Sequence, residues 1–186
     1  HENGAVVETR MCLGPDRRVE VDMIFVVDPV LGDLPRVGAA MVVEAGFETL
    51  LYWGLGPRET YPDRKIGARL AVFQTRVTDS HFPFEPPSEC GGREETRWFR
   101  LGDETGRQVL FSSAIPFHFD ARHSSIGDYR NATHDRTLIR REETFVHIDA
   151  AHAGIGGDMG WSTFLDTRDR VPAGAYRLSF SILLGS

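Results

Sequence analysis

From Val19 to Val27 apolar and polar residues alternate and then give way to a wholly apolar run, the pattern of a strand with one buried face that goes deeper into a core. Asp28-Pro29 and Gly32-Asp-Leu-Pro35 break it. Val37–Val43 predicts a second strand, Gly46 a turn and Phe47–Trp53 a third strand. Residues 54–64 hold too much glycine and proline for regular structure and read as a loop. Ala68–Val77 predicts another strand. The proline-rich stretch from Phe82 to Gly92 predicts an extended run over the surface. Arg97–Leu101 and Gln108–Ser113, parted by the turn at 102–106, predict a hairpin. Phe117–Asp120, Arg136–Arg140, Thr144–Ala150 and Ala175–Leu184 complete the strands, and Ser124–His134 has room for one short helix. Some ten short strands with turn signals between them and little helix predict an all-β fold, an antiparallel two-sheet β-sandwich.

One stretch stands outside this pattern. The strand at Thr144–Ala150 feeds into His152-Ala-Gly-Ile-Gly-Gly-Asp-Met-Gly-Trp161, where four of the seven residues from 154 to 160 are glycine. Such a backbone needs positive φ or close approach, so this is a loop. A phosphate cradle is disfavoured, because Met159 stands where the dinucleotide fingerprint needs a third glycine and no helical period follows. Two readings of Trp161 remain open on the residues alone. It closes a tight connection by folding into the core, or it stands at the tip of a rigid loop and stacks on a ligand ring.

Bulk properties narrow the partners. With 186 residues, 41% apolar and 26% charged, the chain is a single domain by length, able to bury a core unaided. A net charge of −6 argues against nucleic acid and suits a neutral ligand such as a sugar. No apolar run is long enough to cross a membrane. Cys12 and Cys90 are too few for a disulfide scaffold and have no metal-ligand spacing; they fit a reducing compartment, and a cytoplasmic location is the expectation. Seven histidines invite a metal reading, but His118/His123 and His147/His152 are each five apart, without zinc-ligand spacing, so no metal is expected. The first residue is His1, not Met, which fits a fragment of a longer chain.

The glycine-rich stretch resembles the C-terminal signature of the large β-galactosidases of glycoside hydrolase family 2. Two further segments resemble that family in the same order: Trp53-Gly-Leu-Gly-Pro-Arg-Glu-Thr-Tyr-Pro-Asp-Arg64 and Pro83-Phe-Glu-Pro-Pro-Ser-Glu-Cys-Gly-Gly-Arg-Glu-Glu-Thr-Arg-Trp98. Weaker echoes lie at Asp33–Gly38, Asn131–His134 and Pro172–Arg177. Thr60 and Cys90 replace the family's usual Asn, and Met159-Gly160 replaces its usual Asp-Ser before the Trp. The resemblance implies the large curved sandwich shared with galactose mutarotases, here as the last domain or small chain of the enzyme. Retaining hydrolysis needs two carboxyl groups about 5 Å apart. The family carries them on an upstream barrel, so this stretch is expected to be inactive alone and to pack on that barrel or on a separate large chain.

The resemblance assigns Trp161 as a platform for the β-galactoside, chiefly on its aglycone side. His152, Gly154, Gly156, Gly157 and Asp158 would support that loop. Glu59, Asp63, Arg64, Glu89 and Arg93 read as structural, with Glu59 or Asp63 pinning its loop through an arginine and the Glu89–Arg93 turn locked to its neighbour. No cofactor is expected in this stretch, any Mg or Na of the complete enzyme being held elsewhere, and a homo-oligomer is compatible with the family. The alternatives are a non-catalytic carbohydrate-binding module and an aldose 1-epimerase-like domain, the latter needing a His and a Glu as acid and base.

Overall fold

The computed structural model describes residues 4–156 and 165–185. Among them the order is β1 (Ala5–Leu13), β2 (Arg18–Val27), β3 (Arg36–Val43), β4 (Thr49–Gly56), β5 (Arg69–Arg76), β6 (Arg93–Gly102), β7 (Gln108–Arg122), α1 (Ile126–Asn131), β8 (Thr144–His152) and β9 (Ala175–Gly185). The fold is an all-β, antiparallel sandwich with little helix, as the periodicity predicts. One layer runs β1-β2-β9-β7-β6-β4-β5; β3 and β8 form a branch attached to β7. The fifteen-residue β7 joins the two. Its first half pairs with β9 from Gln108↔Gly185 to Ser112↔Ser181, and its second half pairs with β8 from His118↔Asp149 to Arg122↔Phe145. The core takes Val21 and Phe25 from β2, Leu178 and Phe180 from β9, Phe99 from β6, Phe119 from β7 and Val146 and Ile148 from β8. Phe99 stacks between Phe111 and Phe119 at 4.5 and 4.1 Å between centroids.

Four expectations are corrected. Gly54 and Gly56 lie in β4, not in a loop: the strand runs on because side chains at these positions would collide with Thr96 and with the Tyr52 hydroxyl, and glycine lets the backbones close up. Phe117–Asp120 is no separate strand but the continuation of Gln108–Ser113. Arg136–Arg140 is not a strand; a single 3-10 turn at Asp135–Thr137 is followed by irregular chain. The run from Phe82 to Gly92 leaves the surface at its end, where Cys90, Gly91 and Gly92 are buried. The pattern also passed over β1, an edge strand exposed along its whole length. The short helix is where Ser124–His134 predicts it, started by a capping box in which the Ser125 hydroxyl and the Asp128 carboxylate serve each other's backbone N–H.

Candidate functional site

Along β7 and β8 the alternation is apolar against ionisable. Phe119, Ala121, Val146 and Ile148 face the core, while His118, Asp120, Arg122, His147 and Asp149 share the opposite face. In a half-covered sheet that second face would meet water. Here it is buried as well. Tyr61, Glu89 and Gly92 close over it from the loops, and the Tyr129 ring of α1 sits 4.9 Å from the Arg122 guanidinium. Buried charge must be paired, and Asp120 is the centre of the pairing. It accepts from Arg36 Nη2 at 2.7 Å, Arg122 Nε at 3.0 Å and His147 Nδ1 at 2.9 Å. Arg36 also grips both oxygens of Asp149, at 3.2 and 2.5 Å. Glu89 closes the network, 3.3 Å from Arg122 and 3.8 Å from Arg36. Burial alone would raise the Asp120 carboxyl, but Arg122 and Arg36 outweigh it and hold it well below the usual carboxylate range.

The glycine loop leaves this face at the end of β8. Ala153 N–H donates to the Pro35 carbonyl at 2.9 Å and Gly154 N–H to the Asp169 carbonyl at 2.8 Å. The next two amides, of Ile155 and Gly156, donate to the two oxygens of Asp63 at 3.0 and 2.7 Å. A side chain at Gly154 would fall 2.7 Å from the Asp63 carboxyl carbon, and Gly156 has φ of +79°, so both positions need glycine. Asp63 is itself fixed. Beside it Tyr61 is fully buried, accepts from Gly92 N–H at 3.0 Å and donates to Glu89 at 3.3 Å. Glu59 spans Arg64 at 2.9 Å and Gly91 N–H at 2.8 Å. Three segments far apart in sequence thus meet at the root of the loop. Gly157, Asp158 and Trp161 lie outside the described residues.

Of the other residues the sequence singled out, His152, Gly154, Gly156, Glu59, Asp63, Arg64, Glu89 and Arg93 all fall in or beside this assembly. Glu59 meets an arginine as expected; the Asp63 carboxylate reaches the glycine loop. Arg93 is buried and donates to the Tyr52 hydroxyl and to the carbonyls of Gly91 and Gly92 at 2.9–3.0 Å, which locks the turn before β6. His152 donates Nδ1–H to the Ala153 carbonyl at 2.7 Å, with the tautomer assigned from that bond. Its ring stacks on His118 at 4.3 Å. Burial, helped by the charges of His118 and Arg36, pushes the His152 pKa down to about 3. Sequence reasoning missed Arg36, Asp120, Arg122, His147 and Asp149. Their signal was present in Phe117-His-Phe-Asp-Ala-Arg122 and Val146-His-Ile-Asp149, where every second residue is ionisable.

The donor atoms of His118, Asp149 and His152 come within 4.8 Å of one another, close enough to raise the question of a cation. Two features argue against one. The rings of His118 and His152 lie 23° from parallel, so their lone pairs run side by side instead of converging, and both oxygens of Asp149 already hold Arg36. His118 also pairs with Glu94 at 2.8 Å, the residue types an epimerase would need. The other nitrogen of that ring, however, is buried against Gly92, where any side chain would fall 2.7 Å away, and leaves no place for a sugar oxygen.

Comparison with known proteins agrees with the motif reading. The sequence model of the family described as beta galactosidase small chain matches residues 3–183. A beta-galactosidase of Vibrio cholerae is 32% identical over 147 residues, which are 79% of this chain and 14% of that protein. One of Priestia megaterium is 27% identical over 78% of this chain and 14% of its own length. One of Photobacterium profundum is 28% identical over 99% of this chain and 18% of its own length. The chain thus spans about a seventh of the first relatives it matches, which are several times its size.

Proposed function

The chain belongs to the beta galactosidase small chain family, and on that premise we propose that it is the C-terminal sandwich of a retaining β-galactosidase of glycoside hydrolase family 2, located in the cytoplasm. In this reading it completes the sugar site through the loop that ends in Trp161 and packs on a catalytic barrel that carries the two carboxyl groups. The observation that supports the reading most is the clamp at the loop's root. Asp63 holds two successive amides of a glycine loop whose own side chains have been removed to allow it. Holding the root of a loop at two successive amides has a use if the residue the loop carries must be aimed, since a platform misplaced by about 1 Å costs on the order of a hundredfold in rate.

A sugar C–H face laid on an indole buries area worth roughly 2 kcal/mol, a factor of about thirty. Trp161→Leu in the complete enzyme is therefore expected to raise KM by about that factor, more for a disaccharide acceptor than for galactose, with the melting temperature unchanged. Unchanged constants with a lower melting temperature would make Trp161 a core residue and end the proposal.

A further inference from the structure

The geometry points to a second saccharide contact, a cleft that shares Asp63 with the root of the glycine loop and takes a neutral sugar chain. The cleft has a volume of about 920 Å³, room for more than one ring. One side is the loop after β4, with Arg58, Asp63 and Arg64; the other is the segment from Asp79 to Phe84. Three observations give it the chemistry of polyol recognition.

Phe82 is 53% exposed and lies against Phe84, 4.4 Å between centroids, so an aromatic face is held open at the rim. Arg58 and Asp79, both exposed, have no hydrogen bond or ion pair among the described residues, whereas the neighbouring Glu59, Arg64 and Lys65 are all paired. One free guanidinium and one free carboxylate offer donors and acceptors for vicinal hydroxyls, and the chain's net charge of −6 disfavours phosphorylated or other anionic ligands. Ser80, also lining the cleft, is 4% exposed and its hydroxyl has no partner in the fold, an unmet donor and acceptor at this wall. Asp63 belongs to both places: it lines the cleft and holds Ile155 and Gly156. A sugar chain in the cleft would therefore lie beside the root of the glycine loop.

The test is saturation-transfer NMR of lactose on the 186-residue chain, with circular dichroism to confirm that each variant is folded. Saturable transfer with Kd near 1 mM is expected. Phe82→Ala should weaken it about tenfold and Arg58→Ala severalfold, each measured in a Trp161→Leu background so that any contact at Trp161 is removed and the cleft is judged by itself. Three outcomes overturn the cleft. The first is no saturable transfer to the parent chain. The second is transfer that Phe82→Ala and Arg58→Ala leave intact. The third is transfer abolished by Trp161→Leu alone. Loss of self-association in Phe82→Ala without any lactose contact would instead make this wall a protein-docking face.

Discussion

At the scale of single residues, Asp63 and Asp120 are both carboxylates that gather partners from distant segments, and they do different work. Asp63 satisfies amides at the edge of the fold. Charge-assisted bonds of this kind are each worth roughly 1.5–3 kcal/mol. Much of that acts locally, on Ile155 and Gly156. Asp63→Ala is expected to speed protease cleavage at Ile155 and Gly156 with little change in global stability; unchanged cleavage would show that these two residues are held by something else. Asp120 sits at the centre of a buried network, and Asp120→Ala would leave Arg36 and Arg122 without their shared counter-charge. The expected loss is about 3–5 kcal/mol in denaturant unfolding, and a loss below about 1 kcal/mol would mean that Asp149 and Glu89 suffice for both guanidinium groups.

His152 adds a pH dependence whose sign follows from its low pKa. An unfolded His takes up its proton near pH 6.5, while His152 in the fold stays neutral down to about 3. The unfolded chain therefore binds more protons in that interval, and stability falls as pH is lowered through it. The contribution is complete above pH 6.5. By pH 4.5 it has fallen by about 2–3 kcal/mol, at 1.36 kcal/mol per unit. His152→Gln should flatten the stability profile between pH 6.5 and 4.5, and an unaltered slope would assign the effect to other groups.

At the scale of elements, β1 is the strand that packs least. Its odd residues lie in register with the core face of β2, Met11 opposite Val21 and Val7 opposite Phe25. Val21 and Phe25 are buried, yet Met11 is 68% exposed and Val7 48%. An uncovered apolar edge strand invites pairing. The chain is expected to self-associate and bind a hydrophobic dye, and Val7→Lys with Met11→Lys should reduce both while changing stability by no more than about 0.5 kcal/mol per site. A parent chain that stays monomeric at high concentration and binds no dye would refute this. Trp53 on β4 and Phe82 in the chain between β5 and β6, at 38% and 53% exposure, are smaller contributors.

At the scale of the whole molecule, positioning without a nucleophile cannot open an acetal. The 186-residue chain by itself is expected to show no turnover of a chromogenic β-galactoside at high concentration. Turnover that follows the chain through two columns would place a catalytic pair within it and replace the present reading.

How much of this the sequence carried differs from one feature to another, for physical reasons. Period-2 alternation located β2, β3, β5, β8 and β9, because a strand with one buried face writes that face into every second residue. The same rule failed at β1, where neither face is covered within the described chain, and at Gly54 and Gly56, where close approach of Thr96 and Tyr52 overrode the turn signal of glycine. The glycine loop and its motif were legible because backbone conformations at positive φ restrict residue choice locally. What the sequence could not decide is which partners the charged residues find. Asp63 lies 92 residues from Ile155, and Arg36 lies 84 from Asp120 and 113 from Asp149. A carboxylate reads the same whether it meets water, an arginine or an amide. Only the pairing of β3 and β7 with β8, and the loops folded over that face, made Asp63 the anchor of the glycine loop and Asp120 the centre of a buried network.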